Sequence, residues 1–457
     1  MLLFSAPLKS EELRPQLRLS VDYLDSKAEG VRGFIGTSLL VPINKNVYFS
    51  PTIYSAAFGE SGGLYIGGFE ISYRNAINAD WLYEAGIFIG GGGGASIVNE
   101  DGLLIHPKIA LLRKINQYKI YSAITHYNLA GTGIDSLALE FGLEMPLGYL
   151  DNSGGSSFSS KKRLLPRYRI SPYAKYYNLD GSKNRGGTRS LANFRLIGVD
   201  FEIAKIASSN LYIQAAGTIG GDAEGYAEWF IGLRKALANT TVVPTIEFGI
   251  GTGGGGDVNT GGGLLYTFGA GLEIPLTSNI SVSPRLAYVA SLNGDFNALS
   301  PALHFHLKLD DFDPVIWGSA NWMRLEENAK LRYSGMIGED VDSIGVSLDW
   351  YFHPGVYASG KAYTSFDGQA GGFQIGLVGM GINVLEDNND RVFLEAGIGA
   401  AGGAGIDTAG GLLSYGRLGY GRKLTDSFEI YSAIGNISAV NPGMSSTSLE
   451  LGVSSKF

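Results

Sequence analysis

One unit occurs three times in this chain, and that repetition limits what the chain can fold into more than any other feature. The segment LEAGIGAAGGAGIDTAGGLL at 394–413 aligns without a gap with IEFGIGTGGGGDVNTGGGLL at 246–265, and with one two-residue insertion with YEAGIFIGGGGGASIVNEDGLL at 83–104. Similarity continues downstream: YKIYSAITHYNLAGTGIDSLALEFGLEMPL at 118–147 is echoed by FEIYSAIGNISAVNPGMSSTSLELGVSSKF at 428–457, and ISVSPRLAYVASLNGDFNALSPALHFHLKL at 280–309 holds the place in the middle copy. The repeats are set at 17–150, 167–310 and 311–457, with a junction at 151–166. Their period, about 130 to 145 residues, far exceeds that of solenoid repeats.

Within a copy, segments of about ten residues alternate with turn signals, the signature of strands and hairpins, with about eight strands per copy. Two kinds of connection take turns. One is short and polar or contains Pro, as in PINKN, NAINAD, KINQY, HPG, LEDNND and KLTDS; the other is longer and glycine-rich, as in FGESGG, GGGGGASIVNEDG and LAGTGID. Such alternation is expected when odd turns lie at one end of a sheet and even turns at the other, as in an up-and-down meander. Helices between parallel strands do not produce it.

Composition agrees. The 67 glycines, 25 Tyr and 22 Phe favour turns and strands. An apolar fraction of 45% argues against disorder. A formal charge of -8 argues against nucleic-acid binding, and the absence of cysteine removes disulfides and thiolate metal sites together. No apolar run reaches the roughly 18 residues of a membrane helix, which leaves membrane strands open. The opening MLLFSAPLKSEELRPQ, residues 1–16, reads either as the remnant of a secretory signal or as a frayed terminus.

The last strand addresses its environment. Side chains alternate faces along a strand, so in TSLELGVSSKF Leu449, Leu451, Val453 and Phe457 share one face with Ser455, while Glu450, Gly452, Ser454 and Lys456 share the other. In the first copy Leu137, Leu139, Phe141, Leu143 and Met145 oppose Ala138, Glu140, Gly142 and Glu144. In the second, Leu303, Phe305, Leu307 and Leu309 oppose His304, His306 and Lys308. A soluble sandwich shows the same alternation. An apolar-alternating strand that ends the chain on Phe457 resembles the closing strand of bacterial outer-membrane β-barrels, where a terminal Phe belongs to the assembly signal. The resemblance covers the strand pattern of nearly the whole chain and identifies no particular family. It implies a location in the bacterial outer membrane and contact with membrane lipids.

Membrane strands must close, because an open edge in hydrocarbon leaves backbone groups unpaired at several kcal/mol each. Three copies of eight strands predict about 24, in one ring or in three small barrels. The junctions are no longer than loops, so the expectation is all-β, a single transmembrane antiparallel ring. With strands about 4.8 Å apart and tilted about 40°, it would be roughly 45 to 50 Å across.

In the third copy Glu395, Gly397 and Gly399 then face the lumen while Leu394, Ala396 and Ile398 face lipid, and the glycine run that follows serves shape: bulges, coiling and positive φ at the hairpin tip. A phosphate-cradling loop is disfavoured, since no helix pattern and no Lys-Ser/Thr follows. Glu84, Glu247 and Glu395 occupy one place in the three copies, either as a pseudo-threefold set of wall carboxylates or as ordinary wet-face residues paired with lumenal Lys and Arg. Glu140 and Glu450 repeat too, with His304 in their place in the middle copy. His304 and His306 share a face and suit a metal or a lipase-like Ser/His pair, yet no partner lies at a recognisable spacing, and no metal, cofactor or covalent chemistry is expected. EDNND at 386–390 is a solvated turn before it is a calcium loop, and KKR at 161–163 a solvated junction.

The leading expectation is a wide polar passage, porin or export channel, slightly cation-preferring, occupied by a partner protein or carrying a macromolecular cargo. The alternatives are a structural barrel whose lumen is filled by another protein or lipid, and a soluble or surface β-repeat protein.

Overall fold

The computed structural model describes residues 15–25, 30–95, 102–130, 133–146, 169–179, 181–206, 208–238, 240–308, 315–326, 330–331, 335–336 and 339–456. Among them there is no helix. Eight strands form barrel 1: β1 (Gln16–Leu24), β2 (Val31–Pro42), β3 (Val47–Gly59), β4 (Tyr65–Ala76), β5 (Trp81–Gly93), β6 (Leu103–Ile115), β7 (Tyr118–Leu129) and β8 (Asp135–Pro146). Barrel 2 comprises β9 (Arg169–Leu179), β10 (Phe194–Ile206), β11 (Ser209–Gly221), β12 (Ala227–Ala236), β13 (Val243–Gly254), β14 (Leu264–Pro275), β15 (Ile280–Ser291) and β16 (Asn297–Lys308). Barrel 3 begins with β17 (Val315–Leu325), which a connection carrying the two-residue β18 (Lys330–Leu331) and β19 (Gly335–Met336) joins to the next strand. It continues with β20 (Val341–His353), β21 (Val356–Asp367), β22 (Gln374–Glu386), β23 (Asp390–Gly402), β24 (Leu412–Thr425), β25 (Phe428–Ala439) and β26 (Ser445–Lys456).

The strands number as expected, but the single ring does not form. Each copy closes on itself: β1 pairs with β8 (Gln16 opposite Pro146), β9 with β16 (Lys175 opposite Ala302) and β17 with β26 (Asn321 opposite Gly452), all antiparallel. The physical reason is local. With an even number of strands per copy, the first begins where the eighth ends, so the two edges of one copy meet without help from the next. An eight-stranded ring is also just wide enough for side chains to fill, whereas a 24-stranded one encloses a channel. With the ring goes the wide lumen.

Strand alternation follows the sequence closely. In β6 the inward Leu104, His106, Lys108, Ala110 and Leu112 are buried, while outward Ile105, Ile109 and Leu111 are exposed. Short turns such as 43–46, 77–80 and 116–117 lie at one end of barrel 1, and the connection 60–64 lies at the other, where β5 and β7 also end.

The glycine-rich ends join the barrels. In barrel 1 the connection after the third strand packs on the barrel 2 connection after its fifth, where a Cβ on Gly63 would fall 2.7 Å from the Gly254 carbonyl carbon. The corresponding connection of barrel 2 meets barrel 3, with a Cβ on Gly225 3.3 Å from the Gly403 nitrogen, and that of barrel 3 returns to barrel 1, with a Cβ on Gly372 2.6 Å from the Gly93 carbonyl carbon. The contact is thus head-to-tail and closes after three steps, a cyclic assembly written into one chain. The glycines serve shape, as expected, and the shape is this close approach of backbones.

Candidate functional site

Each barrel interior is filled in two layers. At the glycine-rich end sits an apolar cap: Phe34, Ile66, Phe88 and Leu104 in barrel 1, Phe194, Tyr226, Phe230 and Phe296 in barrel 2, Met323, Phe373, Ile406 and Met444 in barrel 3. Below it lies a layer of paired charges. In barrel 1, Arg18 pairs with Glu144 (2.6 Å), its register partner on the neighbouring strand β8, and reaches across the lumen to Glu84 on β5 (2.7 Å); Glu144 also accepts from Arg74 at 2.8 Å, and Lys108 lies 2.6 Å from Glu70. The Arg18 guanidinium also covers the Tyr121 ring at 4.4 Å. In barrel 2 Arg234 holds Asp200 (2.6 Å), Glu202 (2.6 Å) and Glu247 (2.9 Å), and in barrel 3 Arg417 holds Glu395 (2.7 Å) and Glu450 (2.5 Å). Buried charges of this kind persist only when paired and hydrogen-bonded.

This layer places the residues singled out from the sequence. Glu84, Glu247 and Glu395 face inward, each in its own barrel and each paired with Arg, so they form no shared ring. Glu140 accepts from the Tyr121 hydroxyl and Glu450 from that of Tyr431. Gly142 and Gly452 give those two rings room, since a Cβ at either would collide with the ring. Leu449, Leu451 and Val453 point outward and are exposed. Phe457, Leu309, the segment 1–14, KKR at 161–163 and the Lys308 side chain lie outside the described residues.

His304 stacks on Tyr173 (4.6 Å between centroids), with its Nδ1 3.8 Å from Asp200. His306 Nδ1 lies 2.6 Å from Ser171 Oγ, and its Nε2 lies 3.3 Å from an Arg285 nitrogen. Arg285 can only donate, so Nε2 accepts and Nδ1–H donates to Ser171. The serine is therefore an acceptor in this pair, the reverse of what an activated nucleophile needs. No group of His, Asp and Glu side chains among the described residues could hold a metal ion. At the turn following β22, the Asp387 carboxylate accepts from the backbone N–H of Asn389 (2.9 Å) and Asp390 (2.8 Å), which holds its pKa below the usual value. EDNND is a self-satisfied turn.

Three groups of functional residues went unread in the sequence. One is the apolar cap, visible only as inward positions near the glycines, such as Ile66 and Phe88, where alternation gives way to continuous apolar runs. Another is Arg185, in the connection after β9, which donates to the carbonyls of Ala95 (2.6 Å) and Gly62 (2.5 Å) in barrel 1. The last is a set of outward polar side chains at the junction: Trp229 Nε1 and Thr252 Oγ1 of barrel 2 both donate to Ser55 Oγ of barrel 1 at 2.7 Å, and Thr408 of barrel 3 donates to Glu224 of barrel 2 at 2.7 Å. Arg185, Ser55 and Thr408 carry no local signal, because their partners lie in other copies.

Away from the junction the outer surface is apolar. Ile109 (72% exposed), Ile124, Leu137, Phe268, Leu286, Ile398, Leu418 and Ile434 all face outward. Aromatic residues flank this band at both ends: Trp81, Tyr73 and Tyr83 near the short turns, Tyr266 and Tyr288 near the glycine-rich connections. That distribution is the one transmembrane β-barrels show.

No protein-family profile matches the chain, and no curated relative does. Solved structures similar to it include a bacterial polysaccharide outer membrane secretin (7% identity, 98% of this chain and 99% of that one, TM-score 0.24). Two others are the siderophore receptor PirA from Acinetobacter baumannii (10%, 98% and 81%, TM-score 0.30) and a mutant of the Rh. blastica porin (10%, 97% and 98%, TM-score 0.22). At TM-scores this low, the chain's own geometry is the better witness. Closed up-and-down barrels with an apolar exterior and aromatic rims define a protein of the outer-membrane β-barrel class.

Proposed function

We propose that the chain is a scaffold of the bacterial outer membrane: three barrels in one polypeptide, with filled interiors that pass no bulk solute and glycine-rich ends fused into one platform. The observation that carries this reading is the Arg18 network, which spans barrel 1 beneath an apolar cap and has a counterpart around Arg234 and around Arg417. The passage expected from the sequence loses its basis with the wide ring, and a lumen-filling partner is not needed where the chain's own side chains fill the lumen.

Planar-bilayer recording of the purified, membrane-inserted protein tests the reading. Flat traces are expected; steady ohmic steps at neutral pH would return the protein to the channels. Release from membranes by salt alone, without detergent, would instead favour a surface β-repeat protein.

A further inference from the structure

Closing seams, where first and eighth strands meet, join strands from opposite ends of a copy, whereas the other neighbouring pairs follow one another around the barrel. In barrel 1 this seam is an unbroken ladder of nine residue pairs, Gln16 to Leu24, and in barrel 3 an unbroken nine, Trp317 to Leu325. The β9–β16 seam of barrel 2 has seven, in three separated blocks. Pairing lapses at Ser300 and Pro301, and again at Phe305 and His306, which stand opposite Pro172 and Ser171. Proline has no N–H to give a ladder, so a proline inside a strand opens a gap toward the one neighbour its N–H would have met, and Pro172 and Pro301 stay paired on their other sides with Val199 and Leu286. Pro51, Pro107 and Pro284 each open one gap in a ladder whose strands a hairpin ties together. Only at β9–β16 do prolines on two facing strands interrupt one seam, and a hairpin does not tie it.

Side chains stand in for backbone at the second gap, where Ser171 Oγ and His306 Nδ1 meet at 2.6 Å. Outside the seam, Leu299, Leu303, Phe305 and Leu307 are exposed on the apolar face, while β11 and β13 of the same barrel are held at the junction. Unpaired backbone in hydrocarbon costs several kcal/mol per group, so a ladder already missing pairs has less to lose on parting.

We propose that barrel 2 opens sideways into the membrane at the β9–β16 seam, exposing the polar wall at Ser171, Tyr173 and Lys175 to lipid, whereas barrels 1 and 3 stay shut. This gate rests on the membrane reading, but its test is a comparison within one chain and fails independently of conductance.

Hydrogen exchange of the full chain in lipid nanodiscs reads the three seams side by side. Amides of β9 and β16 are expected to exchange about tenfold or more faster than those of β1, β8, β17 and β26, as local opening demands. A second measurement uses the absence of native cysteine: Ala174→Cys with Leu303→Cys, on directly paired outward positions, staples the seam when oxidised. Oxidation should slow β9 and β16 to the level of the other seams, and reduction should restore the difference. Equal protection at all three seams in the unmodified protein overturns the proposal, as does fast exchange that the oxidised staple leaves untouched.

Discussion

Gly93 and Gly372 exclude side chains from each other: a Cβ on Gly93 would fall 2.6 Å from the Gly372 nitrogen, and one on Gly372 2.6 Å from the Gly93 carbonyl carbon. Here barrel 3 returns to barrel 1 and the threefold cycle closes. Gly93 does not have a positive φ, so Gly93→Val probes the close approach rather than backbone strain. Overpacking of this kind costs about 1–3 kcal/mol. The unfolding midpoint in urea should fall accordingly, while Gly360→Ala, where a Cβ meets nothing within 4 Å, should leave it unchanged. Equal effects of the two would remove the junction as a source of stability.

Arg18 is the hub of the barrel 1 interior, with Glu84, Glu144 and Glu70 all within salt-bridge distance. Arg18→Met leaves buried carboxylates without their partner, a loss of about 3–5 kcal/mol when one member of a buried pair is removed. Arg18→Met with Glu144→Gln removes charge from both sides and should recover part of that loss. A single variant as stable as the parent would mean that water reaches these groups, and the filled-interior reading would go with it.

How far the sequence alone reaches is visible in particular residues. Ile109 and Lys108 fall on opposite walls because alternation is a local property of a strand, and Glu84, Glu247 and Glu395 land on one wall for the same reason. Closure is not local: Gln16 opposite Pro146 and Gln16 opposite a strand of another copy satisfy the same pattern, so periodicity cannot count rings. The fate of the glutamates followed from that choice, since narrow rings bring Arg18 to Glu84 and a wide one would leave both in water. The glycines were legible as shape, but the neighbour that needs them, Gly372 for Gly93, lies 279 positions away in a different copy.

The Asp387 turn makes a contribution to stability that acid removes. Its carboxylate pKa is lowered by two backbone N–H donors, so its contribution is present above the unfolded carboxylate value of about 3.9 and is lost as pH falls through the lower folded value. Comparing the parent with Asp387→Ala by urea unfolding from pH 7 to pH 3, the gap between them should hold steady down to about pH 4 and close below it. A gap that widened in acid would show that the charged form is not the one the turn prefers.

Ile109 sits midway along β6 and is 72% exposed, so the medium that touches it decides what an arginine there would cost. On a water-soluble particle, Ile109→Arg replaces exposed apolar surface with a charge and changes stability within about 0.5 kcal/mol. At the centre of a bilayer the same substitution costs about 2–4 kcal/mol, falling to about 0–1 near the interfaces. Arginine at Ile115, the residue ending β6 at the short turns, therefore supplies the depth control. Folding equilibria in phospholipid vesicles should show a large loss for the first variant and little for the second. Two small, equal effects would mean that the outward aliphatic residues do not touch acyl chains, and the membrane assignment would fall.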